Sequence, residues 1–248
     1  MIYLKSEQEI DLIRESCKIV RDTLSFVESK IQAGMSTKEV DELVERYIRS
    51  SGAYPSCLGY GGFPASACIS VNEEVVHGIP SNERILKEGD IVSVDTVAYK
   101  NGFHGDAART FCIGKVSEEK QKLVKVTEEC FYKGIEDLRA GTPLYDIGYK
   151  IQTYAESFGY GVIRSYTGHA IGREMHEDPS VPNFGRKGTG PRLKAGTVLC
   201  IEPMISMGGW RVKILDDDWT AVTVDGSPTA HYENTLVIRE DGVEILTL

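Results

Sequence analysis

Apolar residues recur at helical spacing near the start of the chain. Ile10, Ile13, Cys17, Val20, Leu24 and Val27 share one face and predict an amphipathic helix running to about Gln32. Ser6 and Glu9 stand at its start, where each side chain can satisfy an amide that a helix end leaves open. Ser36 and Glu39 repeat the device, and Val40, Leu43, Val44, Tyr47 and Ile48 supply the stripe of a second helix ending at Gly52. After a glycine-rich stretch, GYGGFPASACISVN, the pattern changes period, and IVSVDTVAY and ARTFCIG read as strands. Helical patterns return over Glu118 to about Arg139 and Tyr145 to about Phe158, and strands resume through TVLCIEPMIS, WTAVTV, NTLVI and VEILTL.

An order of helix, helix, strands, stated twice, calls for a search for an internal repeat. Ala33-Gly34 matches Ala140-Gly141, Tyr47 matches Tyr154, Gly52 matches Gly159, and LKEGDIVSVD from Leu86 matches LKAGTVLCIE from Leu193, all 107 positions apart. The expectation is one domain over 1–248, built from two related halves at about 6–112 and 117–240. Its class is α+β. The apolar faces of two half-sheets are expected to meet, with the four helices covering them outside.

The repeat ends on an acid in both copies. Asp95 closes IVSVD and Glu202 closes VLCIE, so each carboxylate follows an apolar strand run. A buried, ionised carboxylate must be neutralised, paired or bound to a cation. Asn101-Gly102 is a strong hairpin signal. A two-residue turn there pairs positions whose numbers sum to 203, which sets Asp106 opposite Val97 and diagonal to Asp95. Two aspartates so close repel unless a cation lies between them. Of the five histidines, His169 lies between glycines in TGHAIG. His176 lies in EMHEDPS, which is not the zinc helix motif, because Ser180 stands where a second histidine would be. The loop GRKGTG lacks the Walker pattern and reads as a basic loop.

Composition narrows the field further. The chain has 248 residues, with 28 Lys plus Arg against 37 Asp plus Glu, a formal charge of −9 that argues against binding nucleic acid or anionic lipid. With 41% hydrophobic and 26% charged residues it reads as an ordinary globular protein. MIYLKSEQEI does not read as a signal segment and no apolar run is long enough to span a bilayer, so a cytoplasmic location is expected. The six cysteines include no Cys-x-x-Cys pair and are expected as free thiols, buried or lining a site.

The spacing Asp95, Asp106, His169, Glu202, Glu233, with TGHAIG, HEDP and IEPM around the later members, resembles the methionine aminopeptidases of the pita-bread fold over essentially the whole chain. The short segment between Glu202 and Glu233 is similar to the bacterial type I enzymes. The resemblance implies two divalent ions per chain, with Asp95 on one, His169 and Glu202 on the other, and Asp106 and Glu233 bridging. Four carboxylates balance two such ions, taking the formal charge from −9 to −5. Mixed oxygen and imidazole ligation suits Co, Mn, Fe, Zn or Ni. The implied reaction is attack of metal-bound hydroxide on the carbonyl of an N-terminal methionine, before a small second residue. Glu202 would shuttle the proton, and His77 and His176 would hydrogen-bond substrate. Cys57, Tyr60, Phe63, Cys68 and Trp219 match the methionine pocket. Gly61 and Met175 depart from the family, which often carries histidine and an aromatic residue there. His104 and His231 are expected as supporting hydrogen-bonding groups. The implied partners are N-termini of nascent chains near the ribosome, with neither nucleic acid nor membrane bound and the protein a monomer. The competing readings are a prolidase or proline aminopeptidase of the same fold, and a non-catalytic peptide-binding relative.

Overall fold

The computed structural model describes residues 2–248. In chain order its elements are α1 (Glu7–Glu28), α2 (Thr37–Ser50), β1 (Tyr54–Pro55), β2 (Cys68–Val71), β3 (Glu74–Val76), β4 (Ile91–Lys100), β5 (Phe103–Cys112), α3 (Glu118–Ile135) and α4 (Tyr145–Ser157). Then follow β6 (Gly161–Val162), β7 (Gly168–Ala170), β8 (Glu177–Val181), β9 (Val198–Ile201), β10 (Met204–Ser206), β11 (Val212–Ile214), β12 (Ala221–Thr223), β13 (Thr229–His231), β14 (Asn234–Ile238) and β15 (Val243–Ile245). No helix among the described residues is long and apolar enough to cross a membrane.

Both capping boxes form. The Ser6 amide donates to Glu9 Oε2 at 3.0 Å and the Glu9 amide to Ser6 Oγ at 3.3 Å; the corresponding bonds of Ser36 and Glu39 are 2.7 and 3.1 Å. Helix α4 has no side-chain cap. Instead the amides of Leu144 and Tyr145 donate to the carbonyls of Pro191 and Thr189, so the basic loop ends by closing the helix start. Helices α1 and α3 stop at Glu28 and Ile135, short of the expected Gln32 and Arg139. In each case the apolar stripe has run out and the chain turns away.

The strands pair antiparallel in four sheets rather than the two half-sheets expected. TVLCIEPMIS is not one strand: it breaks at Glu202-Pro203 into β9 and β10, which join different sheets. The apolar faces of the halves meet in part: Ile10, Ile13 and Cys17 of α1 and Phe103 of β5 pack with Val198 and Cys200 of β9 and Val237 of β14. The larger part of each packs under its own helices, because strand side chains alternate. Val92, Val94 and Ala98 of β4 and Ala107 and Phe111 of β5 join the stripes of α1 and α2 in one core. Leu199 and Ile201 of β9 and Leu236 and Ile238 of β14 join α3 and α4 in another. The opposite faces, carrying the odd-numbered residues of β4 and β14 and the even-numbered residues of β9, therefore look inward to the region between the halves.

The hairpin of β4 and β5 has the register read from its turn. Val97 pairs with Asp106 and Asp95 with Ala108. Asn101 and Gly102 both take positive φ, 51° and 88°, as a two-residue hairpin turn requires. Helix α1 lies against β5 at Gly105, where an added Cβ would come within 2.7 Å of the Ser16 carbonyl carbon. This contact fixes the height of the neighbouring Asp106.

Candidate metal centre

Asp95 on β4, Asp106 on β5, His169 on β7, Glu202 just after β9 and Glu233 just before β14 converge between the halves. With His77, His176, Cys57, Tyr60, Phe63, Cys68 and Trp219 they line one cavity of about 330 Å³. Every site residue expected from the sequence is therefore on its wall. Asp106 and Glu233 are buried, while Asp95 and Glu202 open partly onto the cavity.

Strand pairing sets the floor. The Glu233 amide donates to the Ala108 carbonyl at 3.0 Å, joining the end of β14 to β5. The Arg109 guanidinium bonds the carbonyls of Ala108 and Glu233, at 2.8 and 2.5 Å, and Asn234 Oδ1 at 2.7 Å. It also stacks on Tyr232 at 4.3 Å. Thr235 Oγ1 donates to the Asp106 carbonyl at 2.8 Å and accepts from the Asp106 amide at 3.1 Å. Neither Arg109 nor Thr235 was expected from the sequence. Thr235 carries a signal: a polar residue two positions from Glu233, ahead of the apolar run of Leu236, Val237 and Ile238.

The imidazole of His169 is oriented by its own strand. Its Nδ1–H donates to the Ala170 carbonyl at 3.0 Å, leaving the Nε2 lone pair 3.7 Å from both Asp106 Oδ2 and Glu202 Oε1. Burial, helped by nearby His176, holds its pKa down to about 3, so the ring is neutral. His231 is buried in β13, its Nε2 without a hydrogen-bond partner and 3.8 Å from Glu202 Oε2. His104 bonds Ser56 Oγ through Nδ1 at 2.9 Å, away from the carboxylates.

The four acids are all shifted upward. Burial raises Asp95 to about 7. It raises Asp106, Glu202 and Glu233 well above the usual range, and the charges of the neighbouring acids add to each shift. Asp106 Oδ1 and Glu233 Oε1 are buried with no partner. Hydrogen bonding within the protein leaves these acceptors unmet, and a cation would meet them. Carboxylates and a neutral imidazole fit a divalent ion.

The outer walls differ in chemistry. Cys57, Phe63, Cys68, Val97 and Met175 form an apolar cluster against which Trp219 packs, its ring edge-on to Phe63 at 5.1 Å. His77 has a positive φ of 60° and stands edge-on to Tyr166 at 5.1 Å. Tyr166 is a wall residue that sequence reasoning missed, lying in a loop with no pattern to mark it. His176 Nδ1 and the Tyr60 hydroxyl share a hydrogen bond of 2.7 Å. Next to it, the Lys5 ammonium pairs with Glu177, both side chains buried, and the Lys5 amide donates to the Gly196 carbonyl at 2.8 Å. All six cysteines are free; five are buried, but Cys112, at the end of β5, is exposed rather than buried or site-lining.

Comparison with known proteins agrees with this architecture. Residues 11–240 match metallopeptidase family M24. A methionine aminopeptidase of Clostridium acetobutylicum is 56% identical over 248 residues, covering 100% of this chain and 99% of that one. The crystal structure of a methionine aminopeptidase from Thermotoga maritima superposes with a TM-score of 0.98 at 47% identity, over 100% and 99% of the two chains. A prolidase from Pyrococcus furiosus shares the fold, with a TM-score of 0.79 at 22% identity, over 99% of this chain and 65% of that one. The fold is the pita-bread fold, and its family uses divalent metal. The chain belongs to metallopeptidase family M24, alongside the methionine aminopeptidases.

Proposed function

We propose that this protein is a metal-dependent aminopeptidase that removes methionine from the N-terminus of polypeptides. The observation that carries the reading is a single cavity walled on one side by Asp95, Asp106, His169, Glu202 and Glu233 and on the other by Cys57, Phe63, Cys68 and Trp219. The first wall, Asp95, Asp106, His169, Glu202 and Glu233, would hold two divalent ions, of the Co, Mn, Fe, Zn or Ni class. Such ions would supply positive charge at the scissile carbonyl and lower the pKa of a water toward neutrality.

The protein's own residues do the rest. The apolar wall, rich in sulfur and aromatic edges, accepts a thioether side chain and holds the scissile bond over the acids. Glu202, partly open to the cavity, takes a proton at its carboxylate oxygen and delivers it to the departing amine. Burial, with His176 adding to it, holds His77 neutral down to about pH 4, so its ring offers a hydrogen bond rather than a charge to the peptide. With the Tyr60 hydroxyl donating to Nδ1 of His176, the Nε2–H of that ring faces substrate as a donor. On this reading the substrates are nascent chains, met near the ribosome in the cytoplasm by a monomeric enzyme.

A comparison of Met-Ala-Ser with a matched X-Pro peptide, each with several added metals, tests the proposal. Methionine is expected to be released from the first and nothing from the second. Glu202→Gln should cut turnover at least about 100-fold with the circular dichroism unchanged. Preference for the X-Pro peptide would make the protein a proline-directed enzyme. Hydrolysis of neither, with any metal, would make it a binding protein.

A further inference from the structure

Beneath the carboxylates lies a thiol that the proposed reaction does not use. Cys200 is fully buried on β9, two residues before Glu202 and so on the same face. It is the register partner of His169 on one side and of Thr235 on the other. Its Sγ lies 3.4 Å from Thr235 Oγ1, the hydroxyl that bonds the Asp106 backbone. One ligand atom from each of Asp106, His169, Cys200 and Glu233 lies within 4.8 Å of the other three. Movements of under about 1 Å would bring four such atoms to tetrahedral bond lengths of about 2.0–2.3 Å around one ion. Two of the four carry the unpartnered buried oxygens, Asp106 Oδ1 and Glu233 Oε1.

We propose that Asp106, His169, Cys200 and Glu233 form an alternative site for a thiophilic divalent cation, cadmium in class, bound through the Cys200 sulfur. The proposal rests on the metal-centre reading, because three of its ligands also belong to the oxygen-rich arrangement. Hard ions such as manganese favour carboxylate and leave the thiol protonated. A soft ion forms a bond to sulfur and the thiol proton leaves to solvent, with no change of oxidation state. The ion then sits deeper than Asp95 and Glu202 and withdraws Asp106, His169 and Glu233 from them. Soft cations therefore inhibit where hard ones support turnover.

Metal-free protein titrated with cadmium, and separately with manganese, tests this. The ultraviolet sulfur-to-cadmium charge-transfer band is expected in the wild type and in a Cys57→Ser/Cys68→Ser/Cys112→Ser variant, which lacks the other cavity thiols and the exposed one. It should vanish in Cys200→Ser, with the cadmium Kd weakened at least about tenfold and manganese binding unchanged. If Cys200→Ser does not fold, cadmium NMR of the triple variant reads the sulfur ligand directly. Cadmium binding without the band, or a band lost with Cys57 and Cys68 instead, overturns the proposal while leaving the oxygen-rich centre standing. Failure to bind either metal overturns both.

Discussion

His77 and His104 are both partly buried and both held to a pKa of about 4, burial being the main cause and the neighbouring His176 adding to it. In the unfolded chain each would titrate near 6.5. Between about pH 4 and 6.5 the unfolded state therefore binds protons that the folded state refuses, and stability rises with pH across that window. It is lost as pH falls through the folded values. Urea midpoints of the metal-loaded protein should climb from pH 4 to 6.5, and His104→Asn should flatten the slope; a flat wild-type profile would contradict the assignment. Loading with metal matters, because the four raised carboxyls of the empty centre work in the opposite direction. Single residues were legible in the sequence where their chemistry was incongruous with their surroundings, as an acid ending an apolar strand is. Arg109 and Tyr166 were not: an arginine in a strand and a tyrosine in a loop look ordinary until the fold sets them beside Glu233 and His77.

Strand alternation does at the level of elements what no single residue could. Once even-numbered positions of β4 face α1 and α2, Asp95 and Val97 have only the inner face left, and the turn at Asn101-Gly102 carries Asp106 to the same side. That register could be read in advance because a two-residue turn allows little else. The division into four sheets could not, since it depends on Pro203 interrupting a run whose composition is that of one continuous strand. Gly105 holds the hairpin against α1. Gly105→Ala would drive a methyl into the backbone of Ser16 and Cys17 and should destabilise the fold by about 1–3 kcal/mol, measurable by denaturant titration. Turnover should fall with it, because Asp106 is the next residue. Unchanged stability would mean that the helix and the hairpin are not in the contact described.

Across the whole molecule, two helix-covered cores flank a seam that is apolar where α1 packs on β9 and β14 and polar where the acids converge. Hydrogen bonds recur at the repeat distance: the Gly34 amide donates to the Leu86 carbonyl at 2.8 Å and the Gly141 amide to that of Leu193 at 2.8 Å. The isolated bridges Ser36–Ile85 and Pro143–Arg192 do likewise. These pairs support the two-halves reading, which the sequence suggested through matches that lie in turns and strand starts. The seam takes two acids from the first half and a histidine and two acids from the second, so metal bound there would tie the halves together. Chelation should abolish activity and lower Tm by about 5–10 °C, both restored by adding back manganese or cobalt. Full activity in a verified metal-free sample would remove metal from the mechanism. The buried pair of Lys5 and Glu177 has a practical corollary. Glu177 follows His176, so anything fused ahead of Lys5 is coupled through one ion pair to a residue of the cavity wall. Kinetic constants from preparations with and without such a fusion would then differ for a reason unrelated to purity.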